Sequence, residues 1–131
     1  PARQLGLSLA KEKRWQESNQ ALLLAAKRGD HFAECDRRKV ALYRMDWELL
    51  RQNPPDVCIT EEQLLLQATA FHRLNQPKLA ISTLKSALAS EPSVELSMHI
   101  LLLCPDCEVT APDSSDPRWR IVRKHPLHYV Q

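Results

Sequence analysis

Glycine occurs only twice in these 131 residues, and aromatic side chains make up 5%. Strands and tight hairpins draw on both, so their scarcity disfavours an all-β fold and suits long helices. Two glycines also leave no Gly-rich loop of the kind whose backbone amides cradle a phosphate. No apolar run approaches the ~20 residues a helix needs to cross a bilayer. The N-terminus lacks the basic, apolar and small-residue order of a signal peptide. No Ser/His/Asp set or His-Glu-x-x-His stands out, and His31, His72 and His99 occur singly on helical stretches. A histidine so placed is ordinarily a surface or satisfied core residue, and no catalytic residue is assigned. Charge does not lean either: 18 basic against 16 acidic residues gives +2, too little to imply nucleic acid. Four cysteines, two of them in Cys104-Pro-Asp-Cys107, do not make a small secreted disulfide framework. The compartment they predict is intracellular and reducing, cytoplasm or nucleus.

The remaining composition, 44% apolar and 26% charged, is that of a globular chain. Residues 3–14 set Leu5, Leu7 and Leu9 on adjacent helical turns, and the basic cluster at 11–14 with Trp15 marks a turn. Residues 16–28 form a second helix with Leu22, Ala25 and Ala26 on one face, and Gly29 suits its end. A helix over 36–53 carries Leu42, Met45 and Leu49 on one stripe, with Tyr43, Trp47 and Leu50 beside it, until Pro54-Pro55 stops it. Two arrangements stay open for this middle part: a degenerate hairpin, or one long helix from His31 to Gln52. Thr60, with Glu62 and Gln63 behind it, starts a helix over 61–74. A turn at 75–77, a helix over 78–90 entered through Pro77, and a closing helix over 93–103 follow. Residues 105–117, with three prolines and four acids, read as loop; 118–131 read as a basic tail carrying Arg118, Arg120, Arg123 and Lys124. Acidic loop and basic tail can neutralise each other by folding back on the helices.

Two stretches repeat one order of small and large residues. Residues 63–93 present Ala68, Phe71, Ala80, Leu84, Ala87 and Pro92; residues 4–30 present Gly6, Leu9, Ser18, Leu22, Ala25 and Asp30. This order resembles the tetratricopeptide repeat, a helix–turn–helix unit of ~34 residues with small side chains where its helices touch. Leu64 then stands at the family's tryptophan position, Ala68 at its glycine and Phe71 at its tyrosine, while Leu5-Gly6 matches its Leu-Gly pair. Ser18 and Asp30 depart from the family's alanine and proline. The middle fits loosely, because Ala25 and Ala87 are about six residues closer than two such units would place them. The resemblance implies an all-α array of helical hairpins over 1–104, closed by a helix, with an irregular segment over 105–131. A chain opening on Pro1 at the start of its first repeat reads as excised from a longer array. A generic helical bundle is the alternative.

In this family partners are held on the face built by the first helix of each hairpin. Mapped here, that face carries Arg3, Gln4, Leu7 and Lys11, and then Glu62, Leu65, Leu66, Thr69, His72 and Arg73. Leu7 and Thr69 stand where a carboxylate clamp needs asparagine, so that clamp is absent. The implied role is a non-catalytic scaffold or adaptor within a larger complex. It would grip a helix or extended segment of a protein partner, or another part of its own chain. Against this, Leu65 and Leu66 have an equal alternative in packing on the middle helix. Trp47 is expected in the core, and Trp15 and Trp119 as interface anchors.

Cys104, Cys107, His125 and His128 are together the soft-thiolate and imidazole set that zinc prefers, and a zinc-stapled adaptor is the alternative function. The short His-to-His spacing and the single Cys-x-x-Cys argue against it. A thioredoxin-like use of Cys-x-x-Cys needs a βαβ setting, for which no strands are expected. The basic runs at 11–14, 37–39 and 118–124, with Trp119 and Tyr129, make nucleic-acid binding a lesser alternative that the near-neutral charge disfavours.

Overall fold

In the computed structural model, which describes residues 1–127, helices α1 (Ala2–Lys11) and α2 (Trp15–Lys27) pair through their smallest side chains. A Cβ on Gly6 would fall 2.6 Å from Leu22 Cγ and Cδ2, so only glycine permits this approach. Ser18 Oγ donates a 2.7 Å hydrogen bond to the Gly6 carbonyl across the same contact. Leu9, Leu22 and Ala25 are buried with them. Between the helices the chain turns at Lys13, which takes the left-handed conformation at φ 60°.

Helix α3 (His31–Arg44) starts at Asp30, whose carboxylate accepts from the Phe32 and Ala33 amides at 3.1 and 3.2 Å. Such a cap satisfies amides that the helix itself leaves free. Leu22 and Ala25 of α2 join Ala33 and Val40 of α3 in one buried cluster. At one end Arg3 pairs with Asp36 at 2.8 Å; at the other Trp15 stacks on Tyr43, ring centroids 4.3 Å apart. Helices α1 and α3 therefore run the same way, with α2 antiparallel to both.

The single long helix from His31 to Gln52 does not form, because α3 ends where Met45 adopts φ 55°. Asp46 then caps a new four-residue helix, α4 (Trp47–Leu50), by accepting from the Leu49 amide at 3.2 Å. Leu50 is fully buried, whereas Trp47 is only half-buried. A 3-10 turn at Asp56–Cys58 follows, tied back to α3 by a Cys35–Cys58 disulfide. Arg38 sits beneath this crossing segment, 2% exposed. Its Nε donates to Gln63 Oε1 at 2.8 Å, and its two terminal nitrogens donate to the Leu49 and Leu50 carbonyls at 3.2 and 3.1 Å. Gln63 Nε2 completes the set by donating to the Cys35 carbonyl at 3.1 Å. Burial lowers the Arg38 pKa, opposed by Glu34.

The chain divides into two compact units, Pro1–Leu66 and Gln67–Gln131, and the division falls inside α5 (Glu61–Arg73). Thr60 Oγ1 accepts from the Gln63 amide at 3.3 Å at the start of α5. Asn75, at φ 61°, ends the turn before α6 (Pro77–Ser90), where Pro77 occupies the first turn and needs no amide partner. Ala68, Ala80, Leu84 and Ala87 are all buried. Helix α7 (Val94–Leu103), capped by the Ser93 hydroxyl, packs on α6. Part of the expected basic tail is helical: α8 (Arg118–Arg123) packs on α7, with Val122 buried, and Leu127 is buried after it. Among the described residues all regular structure is helical, and no helix is long and apolar enough to cross a membrane.

Candidate interaction face and the cysteine–histidine region

The outward stripe of α1 and that of α3 lie side by side in the first unit. On α1, Gly6 and Leu9 point at α2, which turns Arg3, Gln4, Leu7 and Lys11 to the open side. On α3, Phe32, Asp36, Lys39 and Tyr43 follow one another at the four-and-three spacing of a single helix face. Leu7 is 37% exposed, Phe32 52% and Tyr43 61%. Arg3 ties the two stripes: it holds Asp36, and its guanidinium lies 5.7 Å over the Phe32 ring. Lys39 reaches Glu62 at 3.6 Å, which carries the face to the first turn of α5. Four of the expected site residues are thus brought together on α1, and Glu62 adjoins them. Phe32, Lys39 and Tyr43 extend the same face but fall outside the repeat pattern, from which 30–53 departs. Their spacing on α3 was the available signal.

Beyond Glu62 the expected α5 surface is mostly interior. Every residue from 66 to 70 is buried, so α5 is enclosed around its circumference there and has no open stripe. Leu66 and Thr69 are therefore not exposed contact residues, a correction to the mapped face. Leu65 is half-buried and Arg73 exposed. His72 is half-buried, and burial, with Arg73 second, lowers its pKa. Trp119 is engaged within its own unit: its indole N–H donates to the Asp113 carbonyl at 3.0 Å, and Arg123 lies 5.5 Å from the ring. Trp15 is likewise half-buried under its stack with Tyr43.

All four cysteines are paired, in contrast to the expectation of thiols or metal ligands. Cys104 and Cys107 form a disulfide across a tight turn at the end of α7, which leaves no thiolate there for zinc. His125 packs on His99. Its ring meets His99 edge-on at 4.7 Å, and its Nδ1 accepts from the Leu127 amide at 3.3 Å. Burial pushes His99 down to about 3, with His125 second, and burial pushes His125 down to about 4, so both rings are neutral at pH 7. His128 and Tyr129 lie outside the described residues. Among the described residues no three His, Cys, Asp or Glu side chains are grouped to hold a metal ion.

Comparison with protein-family models, curated proteins and solved structures finds no match to this chain.

Proposed function

We propose that this protein is a non-catalytic protein-binding module, and that the α1–α3 face of its first unit receives a helix or extended segment of a partner. The observation that carries the reading is the row of Leu7, Phe32 and Tyr43, left exposed on adjacent helices and bordered by Arg3, Lys11 and Lys39. An apolar centre with a charged border is the anatomy of a specific interface. Side chains of this size, aromatics above all, are those that contribute most when a partner buries them. Arg3 is paired with Asp36 and Lys39 with Glu62, so the border carries both signs and suits a segment whose apolar residues are flanked by charges. The tetratricopeptide resemblance is consistent with this reading for α1, the first helix of its first hairpin-like pair, the helix on which that family holds its ligands.

The test is affinity capture followed by mass spectrometry, comparing the native chain with a Leu7→Arg, Phe32→Asp double variant. Both positions are exposed, so the variant should keep its helicity and its Tm. Loss of the captured partner by tenfold or more is the expected outcome. Undiminished capture by a folded double variant would overturn the assignment of this face.

A further inference from the structure

The two disulfides differ in burial and in the length of chain they close. Cys35 and Cys58 are buried, lie 23 residues apart in sequence, and adjoin the Arg38–Gln63 network that fixes the crossing segment. Opening that bond releases a long loop and exposes a polar interior, so it belongs to the scaffold. Cys104 and Cys107 are three residues apart and half-exposed. Their bond closes a loop already held by a backbone hydrogen bond from the Cys107 amide to the Cys104 carbonyl, at 3.0 Å. Breaking it frees little chain. The pair also lines an open depression of about 620 Å³, shared with Lys85, Leu88, Asp106 and Glu108.

We propose that the Cys104–Cys107 disulfide is a thiol-exchange site that takes a small peptide thiol bearing both a carboxylate and an ammonium group, the glutathione class. Lys85 offers a cation for the carboxylate, and Asp106 and Glu108 offer anions for the ammonium. Leu88 supplies an apolar wall for the connecting chain. Cys104 ends α7, where the free carbonyls of the last turn disfavour a negative charge on its sulfur. Cys107 is then the better leaving group. The incoming thiolate attacks Cys104 Sγ, the Cys104–Cys107 bond breaks with its electron pair on Cys107 Sγ, and a mixed disulfide forms on Cys104. A proton from solvent completes the Cys107 thiol. A second peptide thiolate then attacks the peptide sulfur of the mixed disulfide; its bond to Cys104 breaks with the electron pair on Cys104 Sγ, which takes a proton from solvent, and the oxidised peptide disulfide leaves. Two thiols are thereby oxidised for each protein disulfide reduced, so electrons balance without another reagent.

The experiment exposes the intact chain to graded reduced and oxidised glutathione without denaturant, quenches by alkylation, and reads each cysteine by intact mass and peptide mapping. Cys104 and Cys107 should open at a thiol concentration at least tenfold below that needed for Cys35–Cys58, with helicity unchanged. Cys107→Ser incubated with oxidised glutathione should carry the mixed disulfide on Cys104. Lys85→Ala should slow the reaction with glutathione severalfold and leave that with 2-mercaptoethanol, which has no charged ends, unaltered. Simultaneous opening of both disulfides, or opening only when the helices melt, would overturn the exchange site. An equal effect of Lys85→Ala on both thiols would overturn the recognition of charged ends.

Discussion

Replacing Arg38 by methionine tests whether a buried cation organises the segment that crosses α3. Arg38 is 2% exposed and donates to one side-chain oxygen and two main-chain carbonyls, at 2.8 to 3.2 Å. Methionine fills much of the same volume but donates nothing. Gln63 Oε1 and the Leu49 and Leu50 carbonyls would lose their donor, at about 1–3 kcal/mol for each that stays buried. Against this, the native state no longer carries a desolvated guanidinium, a burden of several kcal/mol. The partners left behind are neutral, so no uncompensated charge remains, and three acceptors without a donor set the scale at about 3–9 kcal/mol before relief of the buried cation. That relief and methionine's packing bring the expected loss to about 3 kcal/mol. In a unit the size of Pro1–Leu66, where 1 kcal/mol moves Tm by about 4–8 °C, that is a fall of about 12–24 °C. Thermal unfolding followed by circular dichroism measures it. Hydrogen exchange should also quicken between 47 and 59, the stretch that Arg38 holds. Arg38→Lys keeps the charge without the planar fork and should fall between native and Arg38→Met. A Gln63→Leu cycle should show coupling of about 0.5–3 kcal/mol. A Tm within a few degrees of native for Arg38→Met, with no gain in exchange, would show that the carbonyls find water and that the cation organises nothing.

Three further outcomes are expected. Gly6→Ala drives a Cβ to 2.6 Å from the Leu22 side chain, so overpacking of about 1–3 kcal/mol should outweigh the ~1 kcal/mol of added helix propensity. A urea midpoint above native would refute the close contact. Both His99 and His125 have folded-state pKa values depressed from 6.5, to about 3 and about 4. The stability they contribute is therefore complete above about pH 6.5 and falls as pH drops toward 4, because the unfolded chain binds protons first. Tm recorded from pH 7.5 to 4.5 should decline, and His99→Phe should flatten the decline; an unchanged slope would remove these rings as its cause. Mutating both Cys35 and Cys58 to serine should lower stability by about 3 kcal/mol by denaturant titration, since their bond spans 23 residues of sequence. A loss no larger than that from the equivalent Cys104 and Cys107 pair would contradict the division between scaffold and exchange bonds.

Helix positions were largely legible because the signals are local. Asp30, Thr60 and Ser93 cap helices through their own side chains, Gly29 and Asn75 adopt φ 98° and φ 61°, and Pro77 opens α6. The small residues at 6 and 18 announced a close helix contact, and that contact is there. The break at Met45 was less visible because Leu42, Met45 and Leu49 keep a helical period across it. The cue was Asp46, a good cap inside an apolar stripe. The α1 half of the candidate face followed from the pattern, and its α3 half did not. On α5 a mixed polar and apolar sequence read as an open surface, yet residues 66–70 are enclosed on all sides.

The sequence by itself determined that this chain is helical, where most helices begin and end, and which small side chains let α1 and α2 nest. Periodicity, caps and turn residues act within a few positions of one another, so order along the chain suffices to specify them. Only the tertiary structure decided that Arg38 is buried against Gln63, 25 residues away, that Cys35 meets Cys58, and that His125 packs on His99. Each is a contact between distant segments. Its free energy depends on which groups share a water-poor interior, and that is settled when the helices pack.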